Sequence, residues 1–71
     1  MFMVRTIKPY GAISFEEIKY IGMKYNHYSN TFIPHVRDKY GWWEVSEETY
    51  QILKEKGVTD YGRVYSTTQP V

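Results

Sequence analysis

"KYGWWEVSEETY", residues 39–50, holds a turn, a short β-prone run and a helix start in immediate succession, and its reading decides the fold. Ser46 is a preferred N-cap residue, and Glu47 and Glu48 place negative charge beside the positive end of a helix dipole. Lys54 and Lys56 complement the other end, and Gly57 supplies the stop. Val45 and Tyr50 are spaced as a hydrophobic staple around the cap, and Tyr50 with Leu53, flanked by Thr49 and Ile52, forms the stripe to be buried. Ahead of the helix, "WWEV" reads as a strand returning from a four-residue "DKYG" turn, opened by Asp38, with Gly41 free to take positive φ.

Neighbouring side chains on an extended chain point to opposite faces, so Trp42 and Trp43 must part. If Val45 turns inward to staple the helix, Trp43 goes inward with it and Trp42 looks outward beside Glu44. A large ring on the open face of a half-covered sheet needs a reason.

Working outward, "TFIPHVR" at residues 31–37 alternates as a strand, and Pro34 implies an edge strand or a bulge. "FMVRTIK" at 2–8 is rich in β-formers and ends at Pro9. "YGRVYST" at 61–67 alternates after a "TDYG" turn and puts Tyr61, Arg63 and Tyr65 on one face and Val64 on the other. In "AISFEEIKYIGMKYN", residues 12–26, Ser14 and Glu17 have the spacing of a capping box, Ile13 and Ile18 that of a staple, and Phe15, Ile18, Ile21 and Tyr25 that of a helical stripe. This pattern predicts a second helix ended by Asn26, with Gly22 marking a place where another backbone passes close.

The predicted order is strand, helix, strand, strand, helix, strand. It implies an α+β fold: a three- to four-stranded, mostly antiparallel sheet with two helices on one face, with the split βαβ, ferredoxin-like arrangement as the leading topology. A looser α+β fold on the central hairpin is the alternative. The 71 residues form one domain, 1–71, with 67–71 as a loosely held tail. No cysteine is present, so aromatic rings, eight Tyr, three Phe and two Trp, must supply much of a small core.

Nine basic residues stand against eight acidic ones and are scattered, which disfavours a surface built to neutralise many phosphates. No apolar run approaches the roughly 20 residues that span a bilayer, and the start lacks a signal-like charge and apolar pattern. The expectation is an intracellular, cytoplasmic protein without membrane association.

If Val64 is the core residue, the open sheet face collects Trp42, Tyr61, Arg63 and Tyr65, with Tyr40 beside them at the hairpin tip. Trp, Tyr and Arg dominate interface hot spots, so the primary expectation is a non-enzymatic protein-binding module that modulates or inhibits a partner, a homodimer being one form. The alternative is single-stranded nucleic acid stacked on the same rings, for which Arg63, Arg37 and Lys39 are the only flanking bases this reading places nearby. The plain alternative to both is a set of rings that roofs a thin core. The polar "KYNHYSN" connection at 24–30 adds His27 and Tyr28 as secondary contacts.

Other constellations explain themselves structurally. His27, His35 and Asp38 have no metal-ligand spacing, and the Glu16/Glu17 and Glu47/Glu48 pairs belong to first helical turns. Ser14 and Ser46 are read as caps, and the Tyr-Gly turns are no phosphate-cradling loop. No catalytic residue, metal, cofactor or small-molecule substrate is expected.

Overall fold

The computed structural model describes residues 2–64. Its chain order is β1 (Met3–Thr6), β2 (Gly11–Ser14), a 3₁₀ turn (Phe15–Glu17), β3 (Tyr20–Asn26), β4 (Thr31–Arg37), β5 (Trp42–Glu44), α1 (Glu47–Glu55) and β6 (Asp60–Val64). The helix signalled by Ser46 forms as its chemistry requires. Ser46 is extended, its hydroxyl oxygen accepts the Thr49 amide at 3.1 Å, and Gly57 takes φ 93° beyond the last turn. Tyr50 and Leu53 are its buried residues.

The strands form two sheets, a β1-β2 hairpin and a four-stranded sheet of order β5-β4-β3-β6. β3 pairs antiparallel with β4 and parallel with β6, while β4 pairs antiparallel with β5. β5 and β6 therefore run parallel at opposite edges, and the β5-α1-β6 connection crosses β4 and β3. The core draws Ile21 and Val36, which are in register, together with Val45, Tyr50 and Leu53 from the helical side and Val4 and Ile13 from the hairpin. One sheet face is thus covered jointly by α1 and by the β1-β2 hairpin. Trp43 is half-buried against this cluster.

Among the described residues the architecture is α+β with one α-helix rather than two, and the four-stranded sheet is mostly antiparallel as expected, its β3-β6 pairing alone being parallel. The helix expected over 12–26 is replaced by β2, the 3₁₀ turn and β3. Ser14 caps no backbone amide; its hydroxyl donates to Glu16 Oε1 at 2.6 Å. The apolar residues that suggested a helical stripe also fit period two from Tyr20 onward, and β3 gains hydrogen-bonded neighbours on both sides. With that helix gone, the ferredoxin-like order is not what the chain builds. The 2–8 strand is shorter than expected and folds back on β2, and the 61–67 strand is described only to Val64. The predicted tail at 67–71 lies outside the described residues.

Pro34 stands in an interior strand, not an edge. In an extended strand a residue's N–H and C=O point to the same side, and the Pro34 carbonyl accepts the Val45 amide at 3.0 Å. The missing N–H therefore faces the side where β5 has already ended, and the ladder to β3 loses nothing.

Two carboxylates pin the connections. Asp38 is only 4% exposed, and its Oδ1 accepts from the amides of Tyr40 (2.8 Å) and Gly41 (3.0 Å) and from Trp43 Nε1 (3.0 Å). Asp60 accepts from the Tyr50 hydroxyl and from the Gly62 amide at 2.8 Å, and pairs with Lys54 at 3.5 Å. Burial alone would raise both carboxyl pKa values. The Trp43 indole with the turn amides at Asp38, and the Tyr50 hydroxyl with Gly62 and Lys54 at Asp60, outweigh it and hold both below the ordinary range.

Two outcomes follow from this architecture. Ser46→Ala should cost about 1 kcal/mol by urea unfolding, while Ser14→Ala should stay within about 0.5 kcal/mol of the parent. Equal losses at both sites would restore a capped helix at 12–26. A folded pKa below the unfolded one stabilises above about pH 4 and loses that contribution as pH falls through the folded value. The urea midpoint should therefore be flat near neutrality and drop below about pH 4, with a shallower drop in Asp38→Asn; the same profile in parent and variant would refute the role given to Asp38.

Candidate functional site

Alternation assigns the uncovered face of the four-stranded sheet. Trp42 lies opposite Arg37, which lies opposite Tyr20. The next row is Glu44, His35 and Gly22, and the one beyond it is Ile33, Lys24 and Val64. Ile21, Val36 and Trp43 form a row on the other face, toward the core.

Trp42 is half-buried because its indole lies across the sheet instead of standing away from it. Its far edge, Cη2, comes within 3.4 Å of where a Cβ on Gly22 would sit, two strands away. The Gly62 carbonyl oxygen and Val64 Cγ2 crowd the same point at 3.4 and 3.3 Å. Glycine at position 22 therefore makes room both for the indole and for the backbone of β6. Tyr20 meets the indole edge-on at 5.5 Å between centroids, and His35 does so at 6.3 Å. Tyr61 stacks on Tyr20 at 4.3 Å and stays 61% exposed.

Two cations flank the same ring, Lys24 Nζ at 5.3 Å and Arg37 Cζ at 5.9 Å from its centroid. Partial burial and the charge of Arg37 lower the Lys24 pKa. Among the described residues neither cation pairs with a carboxylate; the ion pair there is Lys54 with Asp60. Burial holds the His35 pKa below its usual value and outweighs a bond between its Nδ1 and the Ile33 carbonyl at 2.8 Å, with Lys24 lowering it further and Glu44 opposing. Burial thus favours the uncharged imidazole. The face joins aromatic rings to two cations that form no ion pair among the described residues, with Glu44 one row away.

Of the residues singled out from sequence, Trp42 and Tyr61 come together here, both in contact with Tyr20. Arg63 does not join them. Gly62 takes φ 71° where the β3-β6 register slips, so Arg63 pairs with Met23 on the covered side and lies over the Phe32 ring at 4.8 Å. Val64, expected in the core, takes the open face beside Lys24. Tyr65 lies outside the described residues. Tyr40 is 78% exposed at the hairpin turn, where it lines a cavity of about 230 Å³ with Glu16, Glu17, Lys19, Asp38 and Lys39. His27 and Tyr28 sit in the exposed turn after β3; His27 meets Tyr25 edge-on, and Asn26 Oδ1 accepts the Tyr28 amide at 2.8 Å.

Tyr20, Lys24 and His35 were not among the expected contacts. The first two alternate with Ile21 and Met23 along β3, a signal hidden by the helical reading of the same residues. No group of three His, Cys, Asp or Glu among the described residues is placed to hold a metal ion. Within those residues no helix is long and apolar enough to cross a membrane.

The seat of the indole is open to test. Gly22→Val should destabilise the protein by about 1–3 kcal/mol, as overpacking does, and should push Trp42 into water, seen as a red shift in tryptophan emission. Unchanged stability and emission would show that Gly22 does not seat the ring.

No protein-family model matches the chain, and neither the curated proteins nor the solved structures searched gave a match.

Proposed function

We propose that this protein is a binding module without chemistry of its own, which docks an anionic macromolecule on the open sheet face around Trp42. The observation that carries this reading is the pair of cations, Lys24 and Arg37, held against one indole and in ion-pair contact with no carboxylate among the described residues. Crowding like charges on a partly desolvated surface costs stability, and a bound anion reverses that cost. Trp42, Tyr20 and Tyr61 supply flat apolar area of the kind that anchors interfaces, and Tyr20 packs against both of the other rings.

A protein partner, the first expectation from composition, would bring carboxylates to this face. A nucleic acid would bring phosphates. Either would meet the face in the same place, and Glu44, on the row next to Trp42, limits how much negative charge it accepts.

Affinity capture from extract of the native host tests the surface. The parent chain should retain specific protein or nucleic acid, identified by mass spectrometry and sequencing, that both Trp42→Ala and Lys24→Glu lose while keeping the parent's circular dichroism spectrum. Identical retention by all three baits would refute the assignment of this face.

A further inference from the structure

We infer that the occupant of this face is a single-stranded nucleic acid, with unpaired bases stacked on the Trp42, Tyr20 and Tyr61 rings and backbone phosphate drawn to Lys24 and Arg37. The inference rests on the docking surface proposed above and names its ligand class.

Three features favour a single strand. The first is the ring geometry: Tyr61 lies on Tyr20 with an interplanar angle of 30° and remains 61% exposed, so it presents a phenol already aligned in a stack that a base extends. The second is the charge. Arg37 and Lys24 stand on neighbouring strands on either side of the Gly22–His35 row, and Trp42 lies between them in the same surface. Arginine offers a fork of donors that suits phosphate oxygens, and lysine adds a point charge beside it. The third is form. An open four-stranded sheet with rings lying on it admits splayed bases, whereas a duplex keeps its bases stacked inside and offers these rings nothing to stack on. An acidic polypeptide would satisfy the cations but leave the aligned phenols without a planar partner.

The modest net charge of +1 sets the expected strength. With two phosphates neutralised, the slope of log affinity against log salt for a single strand is about −1.4, so a tenfold rise in salt weakens binding about 25-fold. Removing Lys24 halves that slope to about −0.7, or about fivefold.

The experiment is a titration of the full chain with oligothymidine and oligouridine, followed by tryptophan fluorescence at low salt and again at tenfold higher salt. Duplex DNA and poly-glutamate serve as comparison probes. Single strands should quench the emission with the slope given above. Lys24→Gln should reduce the slope, Tyr61→Ala should weaken binding about tenfold, and Trp42→Phe should abolish most of the quench while Trp43 still emits. Absence of binding by either oligonucleotide at low salt overturns the inference, as does equal binding of duplex or poly-glutamate. If the oligonucleotides fail while extract capture still yields a protein that Trp42→Ala loses, the docking surface stands and only its ligand class is wrong. If capture fails as well, both fall.

Discussion

One carboxylate oxygen determines which way each tryptophan faces. Asp38 is nearly excluded from water, and a buried carboxylate is tolerable only where donors replace its hydration. Its Oδ1 finds three, the amides of Tyr40 and Gly41 and the indole N–H of Trp43. The two amides fix the turn and the indole fixes the parity of β5. Once Trp43 is tied inward, Trp42 has only the other face. Val45, two residues on, then lies inward at 1% exposure, directly before the Ser46 cap, so the start of α1 inherits the same parity. The orientations of the open face and of the core thus meet in the same bond.

The second constraint is the crowding at Gly22. β3 is the strand on which both halves of the chain converge, with β4 on one side and the returning β6 on the other. At its centre, a Cβ would touch the Gly62 carbonyl oxygen and the Trp42 indole at 3.4 Å and press on Val64 Cγ2 at 3.3 Å, so a side chain larger than a methyl group would displace a neighbour. That glycine was legible in sequence as a close approach but was assigned to the wrong element. A glycine in a helix and a glycine beneath a neighbouring ring both read as a locally unfavourable residue kept for a packing reason.

What could be read from sequence divides along the line between local and long-range physics. The α1 helix was legible because its cap, its dipole charges and its stop lie within a dozen residues and act on one another directly. The hairpin turn was legible for the same reason, through Asp38 and Gly41. β3 was not, because Ile18, Ile21 and Tyr25 satisfy a period of 3.6 as well as Ile21, Met23 and Tyr25 satisfy a period of two. Only pairing with Thr31–Arg37 and Asp60–Val64 settles the choice. Trp42 follows by alternation from Val45, but Tyr61 reaches the open face although Val64, from whose expected core position its placement followed, lies there too. The slip at Gly62 intervenes and turns Arg63 to the covered side, since one irregular residue reverses the face of everything after it. Lys24 and Tyr20 were invisible as contacts for as long as their segment was read as a helix.

The resulting surface differs from the predicted one in a way that changes its chemistry. The expected patch drew its charge from Arg63 on the last strand, which the structure turns to the covered side. Instead Lys24 and Arg37 are held against the ring, whose π-face attracts each by roughly 0.5–1 kcal/mol and so partly offsets their mutual repulsion. The ring itself lies across the sheet over Gly22, and Tyr61 stacks on Tyr20. Groups fixed before a partner arrives lose little rotameric freedom on binding, so more of the interaction free energy appears as affinity. A small protein with few contacts to offer gains most from rigidity of this kind. The same packing that settles the two tryptophans on opposite faces also holds the Trp42 indole in place for the partner proposed above.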